Sequence, residues 1–476
     1  MTRAAALGFD VGTSAVKAGL LWLDVEEPML MAARPYPTTR PHPGWAEQDP
    51  ADWTSAMAAC WAELRDRAGP LELRSVGLCS QVNTHLFVDD RLRPVRPAIT
   101  WQDVRAADDG AGLERDASFS LSRLAWLERV EPAARSRTRW LLLPKDHCLA
   151  ALTGEIATDA LSAVGLVDDE GAYRDDVLGL VEGSAALLPP LRQHDEPLGL
   201  TLPDNPVGLP AGAPVAVGTM DAWGSFFGGG LLQPGRALDV AGTSEVVAVS
   251  SKGGMPVSGV VAFPPVGGVR VYAGPTQAGG VTLEWAAGLL SVSLPEALRL
   301  AAAGAADPQR VVFLPHLDGE RAPYWNPDAR GVFIGLTMQT RPEHLALAVL
   351  EGVAFSVRML VGVCASAGEV EVPRVRVCGG GARSRLWNRL KAAALERPVD
   401  VLESIDAGVH GATLLGMVAA GLATDIADLA EERVHVVESI DPDPALAARL
   451  DELYGVYADS YRALEPIFPR LASASG

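Results

Sequence analysis

The sequence has few cysteines and no excess of positive charge. Its 476 residues include only five cysteines, at positions 60, 79, 148, 364 and 378. None of them forms a CxxC pair, which excludes a zinc ribbon or a disulfide framework and favours a reduced, cytoplasmic chain. The formal net charge of −19 argues against a nucleic-acid groove or an anionic membrane surface as a partner.

Several motifs of nucleotide-binding and hydrolytic enzymes are also missing. The sequence contains no Gly-Lys dipeptide, which excludes a P-loop, and no GxGxxG after its first predicted strand, which argues against a dinucleotide-binding fold. HExxH and GxSxG are absent as well. The most apolar stretch, 346–367, carries Glu351 and Arg358, so we predict a buried helix and not a membrane span.

What the sequence does contain is a repeated strand–turn pattern. LGFDVGTSAVKAG at 7–19 and LDVAGTSEVV at 238–247 both place Asp-Val shortly before Gly-Thr-Ser, in apolar and β-branched surroundings. The chain is too long for one core of ordinary size. The pattern therefore predicts a duplicated α/β architecture with two domains, 1–234 and 235–476, and a cleft between them.

Three glycine-rich turns follow predicted strands, at 10–14, 239–244 and 379–382. Glycine lets the backbone approach an anion closely, and successive N–H groups with neighbouring hydroxyls can then bind it. A lone Gly-Thr-Ser is usually a plain turn. Two matched copies together with a triple-glycine turn indicate phosphate binding.

The chain resembles the FGGY family of carbohydrate kinases, and within it the xylulokinase-like branch, over almost its whole length. The matching stretches are GFDVGTSAVKAGL, HPGWAEQDPADW, WQDVRA, LLLPKDHCLAALTGEIATD, VGTMDAWGSFFGGG, VAGTSEVV, LDGERAPYWNPDARGVFIGLT and VCGGGARSRLWNRLKA. The resemblance implies an α/β fold of two ribonuclease-H-like (actin-like ATPase) domains with an interdomain active-site cleft. It assigns the sugar and the catalytic base to 1–234 and the nucleotide to 235–476. It also implies ATP-dependent phosphorylation, with Mg²⁺, of a small neutral sugar or polyol, first of all a ketopentose such as xylulose.

The resemblance assigns roles on the nucleotide side. Asp10 corresponds to a metal-coordinating carboxylate, although it could also simply cap its turn. The residues implied in phosphate and nucleotide binding are Gly12, Thr13, Ser14, Lys17, Gly242, Thr243, Ser244, Gly280, Glu284, Gly380, Gly381, Ala382 and Arg385. Lys17 could equally be a solvated strand lysine, and Glu284 an ordinary exposed helical residue.

Asp221, in GTMDAWG, occupies the position of the family's general base. A carboxylate close to the reacting hydroxyl can take its proton as the new O–P bond forms. The alternative is a helix N-cap. The two roles are compatible, because a helix N-terminus can lie open to a ligand.

On the sugar side, the resemblance points to Gln81, Asn83, His85, Trp101, Asp103 and Arg105. Asn83 stands where xylulokinases carry histidine, and the segment 106–122 is shorter than in those enzymes. Asp103 and Arg105 could instead form a purely structural cluster. These departures leave the sugar open, with ribulose, a tetritol or glycerol as alternatives to xylulose.

A non-catalytic actin-like ATP-binding protein and a degenerate kinase are the remaining alternatives. The first would not need GWAEQDP or WQDVR and would often lack a carboxylate at 221, so these features favour the enzyme. We expect ATP and a small sugar or polyol as partners, and neither nucleic acid nor membrane. A homodimer is left open.

Overall fold

The computed structural model describes residues 3–472, and their packing divides the chain into two compact units. Unit 1 contains the residues up to Gly228 together with Asp406–Arg433, and unit 2 contains Gly229–Ile405 and the residues from Val434 onward. The sequence predicts that all residues after 234 belong to the second domain. In the structure, Asp406–Arg433 instead pack with unit 1. The assignment of 1–234 to the sugar and 235–476 to the nucleotide stays a prediction.

Unit 1 is built on a seven-stranded mixed sheet. The strands of unit 1, inside and outside this sheet, are β1 (Arg3–Val11), β2 (Ala15–Trp22), β3 (Leu30–Pro35), β4 (Glu47–Gln48), β5 (Leu71–Ser80), β6 (Leu86–Val88), β7 (Ala98–Ile99), β8 (Trp140–Leu142), β9 (Thr158–Asp159), β10 (Leu191–Arg192), β11 (Pro197–Leu200), β12 (Pro214–Ala216) and β13 (Thr219–Met220). The main sheet has the order β11-β12-β5-β1-β2-β3, with β13 also paired to β5. The other strands form the two-stranded pairs β4-β7, β6-β8 and β9-β10.

Unit 2 contains a second seven-stranded sheet. The strands of unit 2, inside and outside this sheet, are β14 (Ala237–Ala241), β15 (Glu245–Ser251), β16 (Val261–Ala262), β17 (Arg270–Pro275), β18 (Val312–Leu314), β19 (Val332–Ile334), β20 (Val375–Cys378), β21 (Val399–Leu402) and β22 (Val436–Ile440). The order is β16-β17-β15-β14-β20-β21-β22, and β18 pairs with β19. In both units a hairpin (β1-β2, β14-β15) joins a parallel neighbour (β5, β20), which confirms the duplication.

Helices cover the sheets of both units. Unit 1 has α1 (Pro50–Ala68), α2 (Ala107–Gly112), α3 (Ser120–Val130), α4 (Pro132–Arg137), α5 (Pro144–Thr153), α6 (Asp175–Leu178), α7 (Asp221–Gly228), α12 (Ala407–Ala419) and α13 (Ile426–Arg433). Unit 2 has α8 (Gly280–Leu289), α9 (Leu294–Ala306), α10 (Pro342–Ala367), α11 (Arg385–Leu395), α14 (Pro444–Leu464) and α15 (Phe468–Ala472).

Helix α1 shows how local sequence sets these elements. The Asp49 side chain accepts a hydrogen bond from Ala51 N, Pro50 occupies the first turn, and Gly69 ends the helix with a positive φ of 71°. An N-cap aspartate, a proline in the first turn and a glycine after the last turn are local sequence signals that begin and end a helix. Its apolar stripe is fully buried in the core of unit 1 and consists of Trp53, Met57, Cys60 and Leu64.

Helix α10 is the core helix of unit 2. By length and composition alone it could cross a membrane, with a mean hydropathy of 1.9 over its most apolar window. However, 78% of that window is buried inside the fold, and Glu351 pairs with Arg449. The predicted buried helix is therefore confirmed.

Helix α12 lies directly against β1 and β5 because glycines face it. A Cβ atom on Gly77 would lie 1.7 Å from the carbonyl oxygen of Ala412, and one on Gly8 would lie 2.5 Å from that of Val409. Both acceptors are backbone atoms, which cannot move aside as a side-chain tip can. The close approach of α12 to the strands thus requires glycine in the strands.

We expect Gly77→Ala to destabilise the protein by about 2–3 kcal/mol, as overpacking of a tight core does. Differential scanning calorimetry should show a lower melting temperature for this variant. Gly112→Ala is the matched control, because nothing lies within 4 Å of its Cβ position in α2. Equal melting temperatures for the two variants would contradict this account of the packing.

Candidate active site

Two carboxylates lie at one edge of the sheet in unit 1. Asp10 on β1 is paired in register with Cys79 on β5, and Cys79 is paired with Thr219 on β13. The pairings are parallel, so these strands end at the same edge of the sheet. Asp221 follows β13 directly and begins α7. Carboxyl ends of parallel strands are where α/β sheets bind their ligands.

The pKa values of both carboxyl groups are raised. Burial, followed by the charge of Asp10, raises the pKa of Asp221 to about 7, against the hydrogen bond from Ala222 N to its Oδ1 at 2.8 Å. Burial also raises the pKa of Asp10 to about 6; Lys17 opposes the shift and Asp406 adds to it. Lys17 lies opposite Asp10 in the β1–β2 ladder, with its Nζ 2.5 Å from Asp406 Oδ1.

In the first Gly-Thr-Ser turn, between β1 and β2, the backbone carbonyl groups accept hydrogen bonds, whereas two of the backbone amides donate none to any described residue. Gly12 N donates to Ala15 O at 3.1 Å, and the Tyr36 hydroxyl donates to Gly12 O. Within residues 3–472, neither Thr13 N nor Ser14 N has a hydrogen-bond acceptor. Two successive free amides beside hydroxyl groups can bind an anion.

Gln48, in the HPGWAEQDPADW stretch, fastens this turn to its surroundings. Its Nε2 donates to Thr13 O at 2.7 Å and to Thr38 Oγ1 at 2.8 Å. Its Oε1 accepts from Trp53 Nε1 at 3.1 Å and from Gln81 Nε2 at 2.8 Å. No role is predicted for Gln48 from the sequence. Its position in a stretch shared with the family was the available signal.

Among the residues predicted for the sugar side, the structure brings Gln81 and Trp101 to the first turn. The Trp101 side chain is 38% exposed, and its Nε1 donates to Thr13 Oγ1 at 2.9 Å. Asp103 and Arg105 instead form a buried pair, with Arg105 Nη2 2.6 Å from Asp103 Oδ2 and the guanidinium 3.5 Å from the Trp45 ring centroid. This geometry favours a structural role for Asp103 and Arg105, in which they stabilise the wall of the pocket and do not contact the sugar.

Asn83 and His85 lie in the wall of one cavity. Asn83 is half-buried, has a φ of 54°, and donates to Ser118 Oγ at 3.3 Å. His85 is buried, and its Nδ1 lies 2.8 Å from Arg123 Nη1. Because arginine only donates, Nδ1 accepts and Nε2 carries the proton; burial and Arg123 hold the His85 pKa well below its usual value. Other polar residues lining the cavity are Ser120, Asp146, Thr158, Ser162 and Tyr173.

In unit 2, the second Gly-Thr-Ser turn has the same free amides. Its carbonyl groups accept from the start of α8, with Gly280 N donating to Gly242 O and Val281 N donating to Thr243 O, both at 3.0 Å. Within the described part of the chain, neither Thr243 N nor Ser244 N has an acceptor. A Cβ atom on Gly280 would lie 2.9 Å from Gly242 O, so glycine is needed at this contact.

The triple-glycine turn lies beside the second Gly-Thr-Ser turn in unit 2. Strands β14 and β20 are parallel, with Val240 paired to Cys378, so the residues that follow them are neighbours. Gly379 has a φ of 88°, and a Cβ atom there would lie 2.4 Å from Ala241 O. Asn388 Nδ2 donates to Ala382 O at 2.7 Å and holds the end of the turn. Gly242–Ser244 and Gly380–Ala382 are thus brought together.

Two predicted nucleotide-side residues point into solvent. Glu284 is exposed on α8. The side chain of Arg385 is 74% exposed, and its Nε donates to Glu438 Oε1 at 2.7 Å. Glu284 lies on α8, whose first residues contact the second Gly-Thr-Ser turn, and Arg385 begins α11, which follows the triple-glycine turn. Neither side chain contacts its turn. Their roles stay predictions.

The aspartate of the second copy differs from Asp10 in its partners. Asp239 is buried, and Lys391 Nζ donates to Asp239 Oδ2 at 2.5 Å and to Glu245 Oε1 at 2.8 Å. Burial, then the Asp239 charge, raises the pKa of Glu245 to about 8 against the effect of Lys391. Asp10 Oδ1 and Asp239 Oδ1 are both buried with no hydrogen-bond partner among residues 3–472. The two aspartates differ in that Lys391 donates directly to Asp239, whereas Lys17, opposite Asp10, donates to Asp406.

The residues at the sheet edge of unit 1 fit a magnesium ion that keeps most of its waters. Within residues 3–472, no group of three or more His, Cys, Asp or Glu side chains could form a complete protein metal site. Mg²⁺ commonly takes one or two protein carboxylates and completes its shell with water and phosphate oxygens. The unpartnered oxygen of Asp10, with Asp221 at the same edge, supplies that kind of donor set.

The raised pKa of Asp221 predicts a stability change with pH. From its ordinary value of 3.8, the pKa rises to about 7 in the folded protein, so the folded state holds this proton more tightly than the unfolded state. The free energy of unfolding should therefore fall as pH rises from about 4 to 7. Asp221→Asn should remove part of that fall and raise the melting temperature at pH 8.

Exposed Asp204 provides the control, since Asp204→Asn should leave the pH dependence as in the wild type. Thermal unfolding between pH 5 and pH 8 measures all three proteins. If Asp221→Asn and the wild type lose stability equally over this range, the pKa of Asp221 is not raised in the folded protein.

Comparisons with known proteins agree with this geometry. The N-terminal domain of the FGGY family of carbohydrate kinases matches residues 5–228, and its C-terminal domain matches residues 237–420. A xylulose kinase of Escherichia coli is 33% identical over 97% of this chain and 99% of that protein. A glycerol kinase of Methylobacterium nodulans is 32% identical over 87% of this chain and 89% of its own.

The crystal structure of a xyloylose kinase from Brucella ovis superimposes with a TM-score of 0.88 at 30% identity, covering 97% of this chain and 100% of that chain. The matches span both units and include both Gly-Thr-Ser turns and Asp221. The chain therefore belongs to the FGGY family of carbohydrate kinases and is an ATP-dependent sugar kinase with two ribonuclease-H-like, actin-like domains.

Proposed function

We propose that this kinase transfers the γ-phosphoryl group of ATP to a hydroxyl of a small neutral ketopentose, with xylulose as the first candidate. The observation that carries the proposal is Asp221, a carboxylate with a pKa of about 7 at the same sheet edge as Asp10. A general base works best when its pKa is near the operating pH. Asp221 can then hold the substrate hydroxyl and accept its proton as the O–P bond forms.

The hydrogen bond from Ala222 N to Asp221 Oδ1 at 2.8 Å leaves Oδ2 for the sugar. This bond fixes the carboxylate at the start of α7, where it serves as both helix cap and base. The raised pKa has a second consequence: the proton taken from the sugar is held at Asp221 Oδ2 in a site that already favours the protonated form.

We assign Asp10 to magnesium, through water and the oxygen that has no protein partner. When bound, the ion neutralises charge on the transferring phosphoryl group. The free amides of Thr13 and Ser14 bind phosphate oxygens, and Gln48 keeps the turn in place through its bond to Thr13 O. Lys17, paired with Asp406, adds positive charge beside Asp10.

In unit 2, the turns Gly242–Ser244 and Gly380–Ala382 bind the nucleotide, and Gly280 allows α8 to rest against the first of them. Glu284 and Arg385 are assigned to the outer part of the nucleotide site. In both turns the backbone amides are the donors, so this part of the site depends on backbone geometry more than on side-chain identity.

The sugar is the less constrained part of the proposal. Xylulose kinases of Escherichia coli and Klebsiella pneumoniae are 33% and 31% identical to this chain, which supports a ketopentose. The glycerol kinase of Methylobacterium nodulans, at 32%, supports the alternative of a smaller polyol. Exposed Trp101 offers an indole face to sugar C–H groups, while Asn83 and His85 border the neighbouring cavity.

We place the enzyme in the cytoplasm, with ATP and the sugar as its partners and no nucleic acid or membrane. Cys60, Cys79, Cys148 and Cys364 are buried and form no disulfide among the described residues, as suits a reducing compartment. A homodimer is compatible with this proposal.

A substrate screen tests the proposed reaction. ADP release should be stimulated by at least one pentulose, tetritol, glycerol or hexulose, with xylulose or ribulose expected to give the highest kcat/KM. The stimulation should disappear when a chelator removes Mg²⁺ and return when Mg²⁺ is restored. Absence of stimulation by the whole panel, with ATP shown to bind, would favour the non-catalytic alternative. Activity that persists under chelator would refute the role of the metal.

The variant Asp221→Asn tests the base. Asparagine keeps the size and the N-cap capacity of aspartate but cannot accept the hydroxyl proton. We expect kcat to fall roughly 10²–10⁴-fold, equivalent to about 3–5 kcal/mol of barrier, while nucleotide affinity changes little. Steady-state kinetics measure this, with Asp204→Asn as the control. A folded Asp221→Asn enzyme with near-normal kcat would show that Asp221 is only a cap.

A further inference from the structure

Arg321, in the shared stretch DGERAPYWN, has no role in the proposed reaction so far. It lies between β18 and β19 in unit 2, on a segment that is hydrogen-bonded to the end of β17. Ala322 N donates to Pro275 O at 3.0 Å. Glu320 Oε1 accepts from Arg321 N and from Gln277 N, both at 2.8 Å. The backbone at Arg321 is therefore held firmly beside the end of β17.

The guanidinium group of Arg321 lies next to the second Gly-Thr-Ser turn. Its Nη2 donates to Thr276 O at 2.7 Å and lies 3.4 Å from Ser244 Oγ. Ser244 is the last residue of the turn, and the amides of Thr243 and Ser244 have no acceptor within residues 3–472. A cation, two free amides and two hydroxyl groups thus occur together.

This cation also lacks a counter-ion. Within the described residues, no carboxylate lies within ion-pair distance of Arg321. Its neighbour Glu320 is engaged elsewhere, by the two amides at Oε1 and by His316 Nδ1, 2.7 Å from Oε2. Arg321 is half-buried, and its Nε is buried without a hydrogen-bond partner. Holding a partly desolvated charge and an unused donor is unfavourable unless an anion completes the site.

The other cation close to this turn contrasts with Arg321. Lys391 is buried behind the turn and donates to both Asp239 and Glu245. Its charge is therefore already balanced by the protein. Arg321, by contrast, makes no ion pair among the described residues, and the neighbouring Glu320 acts on its charge without contacting it.

We propose that Arg321 binds a phosphate group of the nucleotide held at Gly242–Ser244. Nη2 already lies at the edge of the turn, and Nε and Nη1 make no hydrogen bond among the described residues. They are the remaining donors of the planar guanidinium, whose geometry suits phosphate oxygens. Arginine thereby adds a charge-assisted contact to a turn that otherwise offers only neutral donors. This inference rests on the proposed nucleotide-binding role of unit 2. The competing explanation is that Arg321 only braces its loop through Thr276 O.

Nucleotide binding measured by calorimetry on the whole protein separates these explanations. The ligands are ADP and the non-hydrolysable analogue AMP-PNP, each at two ionic strengths. We expect Arg321→Gln to weaken both about 10–100-fold, the range of a hydrogen bond to a charged group. The remaining affinity should also depend less steeply on salt, because a screened charge–charge contact has been removed.

Arg310→Gln is the matched control. Arg310 belongs to the same unit, is exposed, and pairs with Glu452 at the surface, so its replacement should leave both affinities and their salt dependence unchanged. Arg321→Lys keeps the charge without the planar fork. It should bind both nucleotides several-fold more weakly than the wild type while retaining the wild-type salt dependence, and it carries the test if Arg321→Gln does not fold.

Three results would overturn the inference. Wild-type affinity in Arg321→Gln, or in Arg321→Lys if only that variant folds, would show that the guanidinium does not contact phosphate. A loss of affinity with unchanged salt dependence in Arg321→Gln would identify Arg321 as a brace of its loop. Failure of the wild-type protein to bind either nucleotide would refute the proposed role of unit 2 itself, and this inference with it.

Discussion

The chemistry of unit 1 depends on the unfavourable placement of two carboxylates at one sheet edge. Strands β1, β5 and β13 run parallel, so Asp10 near the end of β1 and Asp221 directly after β13 lie at the same edge of the sheet. Burial raises the pKa of both groups, to about 6 and about 7. Such shifted pKa values are common among ionisable groups of functional sites.

The two copies of the strand–turn pattern have diverged in how their aspartates are used. Asp239 is balanced by Lys391 inside unit 2, and the turn after it offers free amides to a ligand. Asp10 and Asp239 each have one oxygen without a hydrogen-bond partner in the described part of the chain. The same backbone motif thus has different surroundings in the two units, because Lys391 donates directly to Asp239 whereas Lys17, opposite Asp10, donates to Asp406.

The duplicated fold, the buried helix α10 and the limits of α1 could be predicted from the sequence, because they depend on local signals. Strand–turn repetition, an N-cap followed by proline, and a continuous apolar stretch act over a few residues. Asp10, Asp221 and the three turns could also be proposed as site residues, since each lies in a short stretch shared with the family. The structure brings Asp10 and Asp221 to one sheet edge and two of the turns together in unit 2, whereas the side chains of Glu284 and Arg385 are exposed.

Other features depend on contacts between distant segments, and for these the sequence was insufficient. The return of Asp406–Arg433 to unit 1 depends on glycines of β1 and β5 that admit α12. The roles of Gln48 and Arg321 cannot be predicted from the sequence, because a single glutamine or arginine has no periodic signature. Such a role depends on which atoms surround the side chain. The sequence by itself determined the architecture and the kind of chemistry. Tertiary structure alone decided which charges are balanced within the protein and which remain for a ligand, because burial and pairing are set by residues far apart in the chain.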